Sequence, residues 1–100
     1  MITHVVLFKF KPSEKEHALP EARARLLAML GKVPSLRAIE VGTHVGTPDR
    51  AADLALITRF DDLDALAAYA VDPVHEEVKR WLGTVIESAQ VVDFQSDAAR

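Results

Sequence analysis

The sequence of 100 residues contains no cysteine. That excludes a disulfide framework, a thiolate nucleophile and a thiolate metal site. It also has little charge of either sign to spare. Twelve Lys and Arg stand against 15 Asp and Glu, a formal net charge of −3, and no block of one sign is long. Phosphate recognition needs a clustered basic face, so nucleic acid is not an expected partner. Long hydrophobic runs are missing as well. The opening MITHVVLFKF is too short to span a bilayer and lacks the basic flank and cleavage region of a secretory signal. The expectation is a soluble, cytoplasmic protein with no membrane partner. Glycine is scarce, at four residues, and the run G-T-H-V-G-T has neither the pattern nor the length of a phosphate loop. The four histidines, His4, His17, His44 and His75, have no short paired spacing. No metal motif and no cofactor motif is therefore expected.

What is present is ordinary globular composition, 49% hydrophobic and 27% charged. One domain over residues 1–100 is expected, with 96–100 (SDAAR) as a flexible tail. Residues 2–11 read as a strand rich in β-branched and aromatic side chains. Ser13 is placed to cap a short helical start, which Pro20 should break or restart. From Pro20 to about Lys32, Ala22, Leu26, Met29 and Val33 recur at helical spacing, and Gly31 and Pro34 end that helix. Arg37–Val45 and Asp53–Phe60 alternate as strands around a turn at Gly46-Thr47-Pro48-Asp49. Asp61 or Asp62 should cap a helix, and Asp72 another, with Pro73 at its first position where a missing N–H costs nothing. Residues 87–95 form the last strand. The order β-α-β-β-α-α-β fits an α+β fold: a four-stranded antiparallel sheet with helices on one face.

The first strand is apolar on both sides. Ile2, His4, Val6, Phe8 and Phe10 point one way, and Val5 and Leu7 the other. The last strand is similarly mixed, with Ala89 and Val91 on one side and Val92 and Phe94 on the other. Helices in so short a chain can cover one sheet face only. A second copy is the simplest cover for the other, so a homodimer through the sheet is expected, with Val5 and Leu7 and with Ala89 or Val91 beside them in the contact.

Three stretches carry a resemblance: the opening ITHVVLFKFK, the segment DPVHEEV after a Tyr-bearing helix, and the closing VVDFQ. Together they resemble the stress-responsive A/B barrel (Dabb) domain along the whole chain. The resemblance implies a ferredoxin-like chain that pairs through its sheet into a dimeric α+β barrel. A plant branch of that family contains polyketide cyclases that carry out an aldol condensation without a cofactor. Their histidine and tyrosine match His75 and Tyr69, and a histidine of their first strand matches His4. The resemblance thus implies a common cavity for His75 and Tyr69 with His4 at its floor. A further histidine of the cyclases falls near Leu54 and a pocket tyrosine near Leu26, so the cyclase substrate does not carry over.

His75 lies about three positions into its helix, where the positive helix end disfavours imidazolium. A neutral imidazole can act as general base, and Tyr69 can donate a proton or a hydrogen bond to a developing enolate oxygen. The expected ligand is a small hydrophobic carbonyl compound, handled by a cyclase, isomerase or lyase with no metal or cofactor. Against this stands a local role for His75, bonding to the Asp72 cap, in a non-catalytic dimeric stress or ligand-binding protein. A cofactor-independent monooxygenase of the same broad superfamily is the third reading. Tyr69 and Trp81 can equally be core aromatics.

Overall fold

The computed structural model describes residues 1–47 and 51–97. Pro48 and Asp49 of the expected turn, and residues 98–100 of the expected tail, lie outside them. Seven elements follow in order: β1 (Ile2–Phe10), α1 (Lys15–Leu27), β2 (Ala38–Thr43), β3 (Leu54–Phe60), α2 (Leu63–Ala70), α3 (Pro73–Val85) and β4 (Ile86–Gln95). The strands form one sheet in the order β2-β3-β1-β4. Every neighbouring pair is antiparallel. This is a ferredoxin-like fold.

Period-two alternation determines which residues enter the core. Val6, Phe8 and Phe10 of β1 and Leu54, Leu56, Thr58 and Phe60 of β3 are all buried on the helix side. Ala18, Ala22 and Leu26 of α1 and Val78, Leu82 and Val85 of α3 close over them. Helical spacing thus selects the buried set as expected, but the bounds of α1 differ. Glu14, not Ser13, occupies the N-cap, and its side chain makes no capping bond. Pro20 lies inside the helix and does not restart it. It removes one backbone bond to Glu16 near the start, where the helix on either side is held by its buried alanines. The helix stops at Leu27, and Met29 and Val33 are buried from the turns that follow. Gly31, at φ +90°, supplies the left-handed residue in that exit.

The register corrects the reading of β4. Val91 pairs with Val6 and Ala89 with Phe8, so both lie on the helix side. Val92 pairs with Val5 and Phe94 with Thr3, so these two sit beside Val5 and Leu7 on the open face. Pairing partners share a face, and the sequence of one strand cannot say which alternate set meets which. Leu7, Val92 and Phe94 are 40%, 55% and 47% exposed, together an apolar strip on the open face. At the sheet's end, the amide of Ser96 donates to the carbonyl of Met1 at 2.8 Å.

Asp53 ties three parts of the chain together. Its amide donates to the Phe8 carbonyl (2.8 Å). Its carboxylate accepts from the Phe10 amide (2.8 Å) and pairs with Lys15 at the start of α1 (2.9 Å). Burial alone would raise this carboxyl's pKa, but the Phe10 amide and the Lys15 ammonium, helped by Lys9, outweigh it and hold it below its ordinary range. A depressed carboxyl stabilises the fold above its unfolded value of about 4 and loses that contribution as pH falls through the lower folded value. Asp53→Asn should therefore lower the melting temperature at pH 7, and the gap from the parent should shrink on acidification below about pH 4. Thermal melts by circular dichroism across that range test this, and a gap independent of pH would contradict it.

Candidate active site

Two helices joined by a short turn build the site. Asp62 caps α2, accepting from the Ala65 amide at 2.8 Å. The helix ends with Tyr69 buried against Phe60, ring centroids 4.9 Å apart. Asp72 then caps α3 by accepting from the Val74 amide at 2.8 Å, with Pro73 at the first position. This immediate restart folds His75 back over Tyr69. Their ring centroids lie 4.1 Å apart at an interplanar angle of 34°. His75 does not bond to the Asp72 cap. Its Nδ1 meets the carbonyl of Ala70 at 3.2 Å. A carbonyl can only accept, so Nδ1 carries the proton and Nε2 keeps its lone pair.

The half-buried His75 has a pKa below the ordinary imidazole value. Burial is the main cause, opposed by the bond to Ala70 and reinforced by the nearby Lys79 ammonium. Near pH 7 the ring is neutral. Burial drives the Tyr69 phenol the other way, far above its ordinary value, so it remains protonated. Its hydroxyl is buried and has no hydrogen-bond partner among the described residues. Buried hydroxyls are rarely left so, and the loss typically amounts to ~1–3 kcal/mol.

Both rings line a cavity of about 340 Å³ between α3 and the helix side of β1 and β4. His4 lines it too, edge-on to Tyr69 with centroids 6.0 Å apart. The structure thus brings His4, Tyr69 and His75 around one space. Val6, Phe8, Leu26, Leu56, Val78 and Leu82 make most of the remaining wall. Leu26 faces the cavity, whereas Leu54 is buried away from it.

Two charged residues escaped the sequence reading. Asp93, directly opposite His4 across the β1–β4 pair, accepts a hydrogen bond from His4 Nδ1. The signal existed in the closing VVDFQ, but only the strand register reveals the partner. Lys79 lines the cavity one helical turn beyond His75. The i, i+4 spacing from His75 could have found it. Trp81 is not part of the cavity wall; the Arg25 guanidinium lies 4.4 Å over its ring. Among the described residues no three His, Asp or Glu side chains gather as a metal site, and no helix is long and apolar enough to cross a membrane.

The family model of the stress responsive A/B barrel domain matches residues 2–96. No curated protein matches the sequence. Among solved structures, a dimeric protein of unknown function with a ferredoxin-like fold from Bacteroides fragilis is 30% identical, with 95% of each chain covered and a TM-score of 0.85. A hydroxynitrile lyase from Passiflora edulis is 14% identical, with 99% of this chain and 95% of the other covered and a TM-score of 0.84. An antibiotic biosynthesis monooxygenase is also 14% identical, with 96% and 98% covered and a TM-score of 0.74. At such identities the last two share the fold.

The electrostatics of His75 can be measured directly. In a two-dimensional NMR titration its midpoint should fall below the ordinary value of about 6.5, with Nε2 unprotonated at pH 7. A midpoint at or above that value would mean that the ring is not held neutral by its surroundings.

Proposed function

This chain belongs to the stress responsive A/B barrel domain family, and we propose that it is a homodimeric general-base enzyme acting on a small hydrophobic carbonyl compound. His75 is the base and Tyr69 the donor to the carbonyl oxygen, while His4, oriented by Asp93, is the third polar group. In the reaction, His75 Nε2 takes a proton from the carbon next to the carbonyl. The C–H electron pair moves into the C–C bond, and the carbonyl electrons move onto oxygen, giving an enolate. The Tyr69 hydroxyl hydrogen-bonds that oxyanion in a setting poor in water, where such a bond is worth most. Return of the proton to another atom makes an isomerase, attack of the enolate carbon on a second carbonyl a cyclase, and loss of a leaving group a lyase. Side chains alone carry this step.

The observation that carries the reading is the Tyr69 hydroxyl, buried without a partner and packed against a neutral imidazole at an apolar cavity. A substrate oxygen would give that hydroxyl its acceptor once a shift of the packed His75 ring opens the hydroxyl to the cavity. A purely packing role for Tyr69 leaves the hydroxyl unexplained. The experiment is exchange in deuterium oxide with a panel of apolar ketones and aldehydes, followed by mass spectrometry. Deuterium should enter next to the carbonyl of at least one, and His75→Ala should abolish the exchange while keeping the fold. Exchange equal to buffer across the panel, or unaffected by His75→Ala, would remove the general-base role. Oxygen uptake in place of exchange would favour the monooxygenase reading.

The dimer rests on the open sheet face. Leu7, Val92 and Phe94 are exposed there, and burying such surface yields ~25 cal/mol per Å². The Bacteroides fragilis relative is dimeric. A two-fold contact would set this strip against itself. Sedimentation at micromolar concentration should give a species of twice 11.0 kDa, and Leu7→Lys should give monomers or insoluble protein, since an unpaired buried ammonium costs several kcal/mol in general. A stable folded monomer of the parent protein would refute the pairing.

A further inference from the structure

We infer that the cavity takes an apolar oxo acid, its carboxylate paired with Lys79 at a mouth that Gly83 keeps open. This substrate class rests on the cavity being the substrate site proposed above. His75, Lys79 and Gly83 recur at i, i+4 and i+8, so they form one stripe along α3, and all three line the cavity. Val78 and Leu82, beside the stripe, point inward and are buried. The stripe therefore runs along the opening, and the apolar wall lies behind it.

Charge gives the stripe its chemistry. Lys79 is the one Lys or Arg lining the cavity among the described residues, and no Asp or Glu lines it. Its ammonium touches Glu76 at 3.3 Å, but that pair lies on the exposed helix surface, with side chains 62% and 44% exposed. Exposed i, i+3 pairs are weak, so the ammonium can turn to a ligand. The other carboxylate nearby, Asp93, is already taken by His4. A ligand anion at the mouth thus meets one cation and no competing carboxylate in the wall. Deeper in, Val6, Phe8, Leu26 and Leu56 offer nothing to hydrogen-bond, so the body of the ligand is hydrocarbon. The carbonyl goes to Tyr69 and His75. One helical turn, ~5.4 Å, separates His75 from Lys79, which puts carbonyl and carboxylate a few bonds apart in the same molecule.

Gly83 supplies an independent observation. It sits inside α3, in an exposed position, with no positive φ. Glycine is a poor helix former there. Packing does not require it either, since a Cβ added at Gly83 would meet no atom within 4 Å. What the missing side chain does leave is open space at the cavity edge. A large side chain in this position would occupy the entrance.

Binding distinguishes this inference from the catalytic one, because it needs no turnover. In calorimetric titrations of the intact protein, octanoate should bind about fivefold to tenfold more tightly than octan-1-ol, the gain of one charge-assisted contact. Lys79→Met should bring the two to equal affinity, while Lys79→Arg should keep the preference. Gly83→Leu should weaken both ligands, and Gly83→Ala should raise the melting temperature without loss of binding. Equal affinity of the parent for octanoate and octan-1-ol, an unchanged preference in Lys79→Met, or no binding of either at millimolar concentration would overturn the inference. Undiminished binding to a folded Gly83→Leu protein would overturn the role of the mouth. A protein that prefers octanoate but exchanges no α-proton would instead refute the general-base reading and leave this one standing.

Discussion

The central position of β1 constrains everything else in this small domain. It pairs on one edge with β3 and on the other with β4, so its backbone groups are used on both sides. Its side chains are used on both faces. One set, from His4 to Phe10, meets the helices and lines part of the cavity, while Val5 and Leu7 belong to the open face. A slip of one residue along β1 would send His4 to the open face and Leu7 into the core. The strand is held in register by Asp53, which grips the Phe8 carbonyl and the Phe10 amide and ties both to the first turn of α1. The same ties that hold the core together also decide that an imidazole points into the cavity.

Local chemistry was legible wherever the deciding residues are neighbours in sequence. The Asp72-Pro73 start, a cap at Asp61 or Asp62 (the structure uses Asp62) and the alternating core of β3 could be read because a cap or an alternation is complete within a few residues. Errors arose where packing overrode propensity. Pro20 reads as a breaker, yet α1 continues through it because Ala18, Ala22 and Leu26 are anchored in the core. Ser13 reads as a cap, yet Glu14 takes the N-cap position and its carbonyl accepts from the Ala18 amide. Pairing across the sheet was not legible at all. Whether Val91 or Val92 accompanies Val5 depends on how β4 docks, and the same uncertainty hid Asp93 from His4.

The site divides along the same line. Tyr69 and His75 are six residues apart, and the turn between them is spelled out by a cap and a proline, so their meeting follows from local rules. The electrostatic outcome does not. His75 is neutral mainly because of burial, which depends on how α3 lies on the sheet, and the Tyr69 hydroxyl is isolated because Phe60 and the surrounding core offer it no acceptor. Local sequence places two groups together, and tertiary packing sets their protonation.

Helix α3 carries its core packing and the chemistry proposed for it largely on different stripes of its surface. Val78, Leu82 and Val85 hold it to the core. The stripe through His75, Lys79 and Gly83 bears little of that packing: the first is half-buried, and the other two are exposed. A cavity edge built from such residues can change its charge or its width while the buried stripe keeps the helix in place. The His75 imidazole is held at the start of α3, just after the Asp72 cap, and packs against the Tyr69 phenol at the end of α2. The residues proposed to select a ligand, Lys79 and Gly83, lie one and two turns further on. In the proposed reading, reactivity and selectivity are therefore separable along this one helix, since the proposed base is placed by the cap at its start and the proposed selecting residues bear little of the core packing.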